Sequence, residues 1–306
     1  MVNHMLMIYH RSVLTNECIE GLNINPSGVY VDVTYGGGGH SNEILKQINT
    51  GRLFAFDRDL DAKMNIKDHK RFKLINSNYK HLKRCLKFEG INQVDGILAD
   101  LGVSSHQLDT AERGFSYRFN APLDMRMNAK STLNASFVVN EYDKDQLSDL
   151  FFHFGDIKES RKIAERIILR RKIKSIKTTF DLIDIINEVV PSRMANKFFS
   201  KIFQSIRIEV NDELTSLKTM LKDGIEILNK GGRLVVISYH SIEDRIVKNL
   251  FKTGNLDGIV KKDIYGNEKK VVKQLNRKVI KASESELMDN PRSRSARMRI
   301  AEKTQL

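Results

Sequence analysis

Residues 29–41 read VYVDVTYGGGGHS, and this stretch predicts the opening of an α/β fold. Valine alternates through its first half, which suits a buried strand, and four consecutive glycines then end that strand. Ser41 is expected to cap the helix that follows. A strand, a glycine loop and a helix in this order are typical of a nucleotide-binding unit, because bare backbone lets a ligand lie close and the helix N-terminus offers free N–H groups.

A second strand and an acidic residue follow the loop. Residues 53–56 read LFAF and predict a buried strand that ends at Asp57. An acidic residue about twenty positions after a glycine loop lies where such folds bind the two hydroxyls of a ribose. Four glycines alone would indicate only a flexible turn, and Asp57 alone a solvated strand end. The two strands, the loop and the acid together favour a nucleoside site.

The loop departs from the dinucleotide fingerprint. Counted from Gly36, the pattern G-x-G-x-x-G places Ser41 where the third glycine belongs, and no phosphate-loop lysine follows. A ligand with a ribose and no pyrophosphate, such as S-adenosylmethionine, therefore fits better than a dinucleotide. A nicotinamide-dependent dehydrogenase is the alternative enzyme class, and the broken glycine pattern argues against it.

The charge balance indicates an anionic partner. The chain has 51 Lys and Arg residues against 38 Asp and Glu residues, a net charge of +13 over 306 residues. An excess of this kind favours binding to nucleic acid or to another anionic surface. A non-catalytic RNA-binding protein would explain the charge, but it would leave the glycine loop and Asp57 without a role.

Cysteine usage and hydropathy predict a cytoplasmic protein. Cys18 and Cys85 are too few for a disulfide framework or a cysteine zinc site. No stretch reaches the length of a transmembrane helix and the N-terminus lacks a basic leader, so no membrane contact is expected. Spacings such as H-E-x-x-H are absent, so no metal is expected either.

The order of the predicted elements divides the chain. Strand patterns at 72–75 and 94–100 follow the first two strands, helical periods come next, and strand character returns at 233–238. The simplest architecture is a helical domain inserted between the fourth and fifth strands of one parallel sheet. We therefore expect an α/β domain over residues 1–110 and 211–306 and a helical domain over residues 111–210. Local expectations are a helix over 61–68, a capping box of Asp143 with Gln146, a Thr179 helix cap and a last strand within 271–280.

Polar and aromatic side chains follow the later strands. Ligands bind at the carboxyl ends of the strands in open α/β sheets, so Tyr79 and Asp100 are candidates for the same crevice as Asp57. Asp100 could bind a cofactor or accept a hydrogen bond from an exocyclic amine, and Gln107 offers an amide donor and acceptor. Without a role in binding, Tyr79 would be a half-buried aromatic residue at the start of a loop, and Asp100 would be a helix cap. Residues 238–241 (SYHS) lack a G-x-S-x-G context, so they are expected to form a site wall rather than a nucleophile.

Two stretches concentrate positive charge, residues 158–177 and residues 292–299. Taken alone, each stretch is explained equally well by a solvent-exposed charged face and by contact with an anionic partner. With the net charge of the chain added, contact with RNA phosphates is the better interpretation.

Short motifs occur in a fixed order along nearly the whole chain. They are HRSVL at 10–14, GGGGHS at 36–41, DRD at 57–59, DLGVSS at 100–105, ERGFS at 112–116, PLDMRM at 122–127, IRIEVN at 206–211, YHSIEDR at 239–245 and NPRSRS at 290–295. In these motifs the chain resembles the bacterial 16S ribosomal RNA cytosine-N4 methyltransferase family. The (Asp/Asn/Ser)-Pro-Pro-aromatic motif of DNA amino-methyltransferases is absent, and Asp100-Leu101-Gly102 occupies its place.

The resemblance implies a Rossmann-like class I methyltransferase sheet with an inserted all-helical domain that recognises the substrate. It implies S-adenosylmethionine as the cofactor and N4-methylation of a cytosine in the decoding region of 16S ribosomal RNA, with the small ribosomal subunit as the partner. Asp100 is then also the candidate catalytic residue. By position, the family's cofactor contacts fall on Gly38, Gly39, His40, Asp57, Tyr79, Asp100 and Gln107. Whether the chain is a monomer or a homodimer is left open.

Overall fold

The computed structural model describes residues 12–66, 68–260, 262, 265–266 and 270–304, so His10 and Arg11 of the first motif lie outside the described residues. The chain divides into two compact units. One is formed by Met1–Gly102 with Thr215–Leu306, and the other by Val103–Leu214.

Within the described residues, seven strands form one sheet in the order β3-β2-β1-β4-β5-β7-β6. The strands are β1 Val29–Asp32, β2 Arg52–Asp57, β3 Phe72–Asn76, β4 Val94–Asp100, β5 Leu228–Ser238, β6 Val272–Gln274 and β7 Arg297–Lys303. The first five run parallel, whereas β7 is antiparallel to β5 and β6. The strand order reverses between β1 and β4, which makes the carboxyl ends of these strands the expected ligand crevice.

The five strands expected to form one parallel sheet are parallel, and β7, which the sequence pattern did not predict, adds an antiparallel strand to it. Residues 297–299 of the basic stretch belong to this strand, and two cations of the strand are buried with partners distant in sequence. Arg299 forms a two-bond ion pair with Asp244, and the Lys303 ammonium donates to two backbone carbonyls. Neither partner is visible in the local pattern. The strand expected within 271–280 shortens to β6.

The helices are α1 Thr15–Leu22, α2 Gly39–Gln47, α3 Leu82–Phe88, α4 Ser105–Asp109, α5 Ala135–Glu141, α6 Lys144–Gly155, α7 Ser160–Arg171, α8 Thr179–Asn187, α9 Ala195–Val210, α10 Glu213–Ile227, α11 Ser241–Thr253 and α12 Glu284–Asp289. Short 3₁₀ turns occur at Leu60–Asn65, Tyr79–His81, Ala111–Arg113, Ser192–Met194 and Pro291–Ser295. The turn Leu60–Asn65 replaces the helix expected over 61–68. Thr178 rather than Thr179 caps α8, since its hydroxyl accepts the Asp181 N–H.

The first unit packs helices onto the sheet. Leu14, Leu22 and Ile44 are buried against Leu53 of β2 and Val235 of β5 in one apolar cluster. Burial of such side chains stabilises the unit by roughly 1.5–3 kcal/mol each. This core holds the strand ends in a fixed arrangement.

The second unit has its own apolar core, built from α5 to α9 and the irregular segment before them. The capping box of Asp143 with Gln146 at the start of α6 is confirmed. Asn211 fixes the irregular segment, because its amide donates to the Met125 carbonyl and its oxygen accepts the Met127 N–H. Of the helices in the described part of the chain, none combines the length and hydropathy of a transmembrane span.

Candidate active site at the carboxyl ends of the parallel strands

The glycine loop lies between β1 and α2, and its backbone needs glycine. Gly36 and Gly38 adopt positive φ angles of 51° and 77°. A Cβ on Gly38 would lie 2.8 Å from the Tyr35 ring, and one on Gly39 would lie 1.9 Å from Ser12 Oγ. The sequence pattern predicts that glycine is needed here so that a ligand can lie close to the backbone. At Gly38 and Gly39 the structure adds a second reason, which is tight packing within the chain.

Ser41 is not the cap of α2, because the helix begins at Gly39 and Ser41 lies inside its first turn. Its hydroxyl donates to Asp32 Oδ2 at 2.7 Å, while Asp32 Oδ1 accepts the Thr34 N–H at 3.0 Å. Asp32 is almost fully buried at the end of β1. The sequence pattern did not single out this residue, although it ends a strand as Asp57 and Asp100 do. The Asp32 carboxylate therefore holds both ends of the glycine loop, through Thr34 before it and Ser41 after it.

Asp57 ends β2 and binds the glycine loop directly. Its Oδ2 accepts the Gly36 N–H at 2.8 Å and its Oδ1 accepts the Asp59 N–H at 2.8 Å. Burial raises the pKa of Asp57 to about 6, and the two backbone N–H groups oppose that rise. Each carboxylate oxygen can accept more than one hydrogen bond, so these two contacts leave capacity for a ligand hydroxyl.

Asp100 ends β4 and is held from two directions. Its backbone N–H donates to Thr34 Oγ1 at 2.7 Å, and its Oδ1 accepts the Tyr239 hydroxyl at 2.7 Å. The Asp100 side chain is 22% exposed, so the carboxylate can still be reached by a ligand. Burial raises its pKa to about 6, against the opposing effects of His40 and the Tyr239 hydrogen bond.

His40 joins the loop to Asp100. Its Nε2 lies 2.9 Å from the Val13 carbonyl, which can only accept, so Nε2 carries the proton. Its Nδ1 lies 3.8 Å from Asp100 Oδ2. The glycine loop therefore contacts Asp57 through Gly36, and the first turn of α2 that follows the loop approaches Asp100 through His40.

Tyr79 begins the 3₁₀ turn after β3, and it is half-buried. Asn78 caps this turn by accepting the Lys80 N–H. Tyr79 thus stands after a carboxyl strand end of the same sheet as Asp57 and Asp100.

Gln107 lies in the second unit, where it is buried in α4. Its side-chain oxygen accepts the Ser104 N–H while the Ser104 hydroxyl accepts the Gln107 N–H, which completes a capping box. Ser104 is therefore the N-cap of α4. The sequence pattern did not reveal that Gln107 forms the other half of the box.

The contacts described for the segment after β5 do not join a serine to a histidine, and its role as a site wall stays a prediction. Ser238 is buried and donates to the Arg297 carbonyl at 3.3 Å. His240 caps α11 by accepting the Glu243 N–H, and the Tyr239 N–H donates to Glu243 Oε2. The hydrogen bond from the Tyr239 hydroxyl to Asp100 joins this segment to the end of β4.

The basic stretches contain both exposed and engaged side chains. In α7, Arg161 and Lys162 are exposed, whereas Arg171 donates to the carbonyls at the end of α5, Val139 and Tyr142. Arg299 is buried in its ion pair and is not an exposed phosphate contact. The remaining α7 guanidiniums, Arg166 and Arg170, pair with Glu188.

The strand ends bring two carboxylates to one edge of the sheet, on either side of the glycine loop. Asp57 offers carboxylate oxygens at the end of β2, and Asp100 offers them at the end of β4. The two strands flank β1 on opposite sides. The glycine loop between them supplies backbone N–H groups at the start of α2.

Comparison with known proteins identifies the family. The sequence profile described as the MraW methylase family matches residues 7–304. The ribosomal RNA small subunit methyltransferase H of Phocaeicola vulgatus is 49% identical over 297 residues, which cover 97% of this chain and 98% of that protein. The protein of the same name from Flavobacterium johnsoniae is 50% identical over 298 residues, with 97% and 98% of the two chains covered. The chain belongs to the MraW methylase family.

Proposed function

We propose that the chain transfers a methyl group from S-adenosylmethionine to the exocyclic N4 of a cytosine in the decoding region of 16S ribosomal RNA. The observation that carries the proposal is that the glycine loop and the first turn of α2 lie beside both strand-end acids: Gly36 of the loop donates to Asp57, and His40 of α2 lies 3.8 Å from Asp100. Membership of the MraW methylase family supports the reaction class, and the names of its relatives support a ribosomal RNA of the small subunit as the substrate.

The residues at this edge suit S-adenosylmethionine. Asp57 retains acceptor capacity for two ribose hydroxyls, and residues 36–41 contain no lysine or arginine for a pyrophosphate. When bound, the cofactor supplies a methyl group that its sulfonium charge already activates. We assign Asp57 to the ribose. The further cofactor contacts are assigned by the resemblance to Gly38, Gly39, His40, Tyr79, Asp100 and Gln107.

Asp100 is the candidate catalytic residue. The lone pair of a cytosine amine is delocalised into the ring, which makes the nitrogen a poor nucleophile. A carboxylate that accepts a hydrogen bond from this amine favours a more pyramidal nitrogen. That contact strengthens as positive charge develops on the nitrogen, so it lowers the barrier rather than only binding the substrate. The remaining task of the site is to align the amine with the methyl group.

The target base has to leave its stack to reach this edge of the sheet. We propose that the Val103–Leu214 unit recognises the RNA and that the unit formed by residues 12–102 and 215–304 carries the methyl-transfer site. Exposed cations of α7, such as Arg161 and Lys162, are suited to phosphate contacts. The proposal places the protein in the cytoplasm, where small ribosomal subunits are assembled.

Two measurements test the proposed function. Calorimetric titration with S-adenosylhomocysteine should show binding and titration with NAD should not, which separates a methyltransferase from a dehydrogenase and from a non-catalytic RNA-binding protein. Methylation of unmodified small ribosomal subunits, followed by mass spectrometry of the nucleosides, should yield N4-methylcytidine. Methyl transfer to another atom, or no binding of S-adenosylhomocysteine, would refute the proposal.

A further inference from the structure

The Tyr239 hydroxyl occupies a defined place between two strand ends. Register pairs Asp100 of β4 with Ile237 of β5, so the residue two positions beyond Ile237 lies beside the Asp100 side chain. The Tyr239 ring packs against the apolar cluster of the first unit, and its backbone N–H is held by Glu243 Oε2 at 3.0 Å. Ring and backbone are thus both fixed, and the hydroxyl reaches Asp100 Oδ1 at 2.7 Å.

The two oxygens of the Asp100 carboxylate have different neighbours. Oδ1 accepts the Tyr239 hydroxyl, and Oδ2 faces His40 Nδ1 at 3.8 Å. Thr34 holds the backbone of the same residue. Asp100 is held at its backbone N–H and at one carboxylate oxygen, so its carboxylate has little rotational freedom. The direction of Oδ2 is therefore set by these neighbours.

The charges around the pair keep the proton on the tyrosine. Burial raises the pKa of Tyr239 well above its usual value, and the nearby carboxylate of Asp100 raises it further. The hydroxyl therefore acts as a donor, and donation stabilises the ionised form of Asp100. Among the described residues, the other titratable groups near Asp100 are His40, which favours the ionised form, Asp32 and Glu243, which disfavour it, and the buried Cys18 thiol, whose own pKa is raised by burial and by Asp100.

We propose that Tyr239 is the positioning residue of Asp100: its hydroxyl aims the carboxylate and keeps it ionised for the substrate amine. The inference rests on the proposed function, since it assumes that Asp100 acts on that amine. It goes beyond that function by assigning the orientation of the carboxylate to a residue 139 positions away along the chain.

The test is Tyr239→Phe, which keeps the ring and removes only the hydroxyl. The first readout is the titration of the Asp100 carboxyl carbon by ¹³C NMR in the unliganded protein, with the signal identified by its loss in Asp100→Asn. We expect a midpoint near the pKa of about 6 in the parent. Loss of a hydrogen bond to a charged group should raise that midpoint by about one unit in the variant.

The second readout is the pH profile of single-turnover methylation of small ribosomal subunits at saturating S-adenosylmethionine. The acid limb of the profile should shift to higher pH together with the NMR midpoint. The rate at pH 6 should therefore fall about fivefold, while the rate at pH 8 changes little. The matched control is Tyr142→Phe, which removes a half-buried hydroxyl that donates to Glu209 in the second unit at 2.6 Å. Its pH profile should equal that of the parent.

The outcomes separate the positioning role from the proposed function. An active parent whose Tyr239→Phe variant keeps the parent's midpoint or the parent's acid limb overturns the positioning role. A parent that does not methylate small subunits refutes the proposed function itself, and the positioning role falls with it. Parallel shifts of midpoint and acid limb, absent in Tyr142→Phe, support the inference.

Discussion

Replacement of Asp57 by alanine is the sharpest test of the cofactor site. The carboxylate accepts one backbone N–H on each oxygen, from Gly36 and from Asp59, and is assigned to the ribose hydroxyls as well. Loss of a charged acceptor weakens binding by about 1.5–3 kcal/mol, which corresponds to about a 10- to 150-fold rise in the Kd for S-adenosylhomocysteine. Isothermal titration calorimetry at pH 8, where Asp57 is ionised, measures that rise.

Part of this loss could come from the loop rather than from the ribose. Asn65 provides the control, because its side-chain amide donates to the Gly36 carbonyl at 3.0 Å without offering a carboxylate. Asn65→Ala should therefore weaken binding much less than Asp57→Ala. If both variants bind equally weakly, the role of Asp57 is to hold the loop. If folded Asp57→Ala binds as tightly as the parent, the reasoning is refuted.

The pH dependence gives an independent check. Burial raises the pKa of Asp57 to about 6, above its usual value, so the free protein takes up a proton there as the pH falls. Hydroxyl donors favour the ionised form, so binding should release protons near pH 6 and affinity should fall below it. Calorimetry in buffers of different ionisation enthalpy measures this release. Asp100 titrates in the same range, so Asp57→Ala should reduce the release without abolishing it.

Three further predictions concern Asp100, α7 and the β7 ion pair. Single-turnover methylation at saturating cofactor should slow in Asp100→Asn and slow further in Asp100→Ala, and parent-like rates in both would reduce Asp100 to a cofactor contact. Alanine at Arg161 and Lys162 should flatten the dependence of log K for RNA on log salt by about 0.7–0.9 for each phosphate interaction that is removed, whereas an unchanged slope would mean a solvated face. Asp244→Ala should lower the free energy of unfolding by about 3–5 kcal/mol because it leaves Arg299 buried without its partner, and an unchanged urea midpoint would contradict that account.

The strand-end acids could be predicted because they follow from local pattern and a general property of parallel sheets. Continuous apolar runs place Asp57 and Asp100 at the ends of β2 and β4, and the carboxyl ends of parallel neighbours share one edge. No contact distant in sequence is needed for that inference. The family resemblance added the reaction and the cofactor.

Two of the errors come from a partner that the local pattern does not show. Ser41 looks like a cap until Asp32 is seen to take its hydroxyl. The sequence pattern counts Arg299 with the exposed basic stretch 292–299 because Asp244, its ion-pair partner, lies 55 positions away. The hydrogen bond from Tyr239 to Asp100 spans 139 positions and has no local signal at all.

The insertion of the second unit between β4 and β5 has a consequence for the order in which the protein forms. During synthesis from the N-terminus, β1 to β4 emerge first, and the whole of Val103–Leu214 follows before the first residue of β5. Throughout that interval, β4 has an open edge of unpaired backbone, which is prone to pairing with other chains. The second unit has an apolar core of its own, and its folding in this interval shortens the chain that must close between β4 and β5. A nascent chain thus acquires its methyl-transfer geometry only after residue 239 has been added.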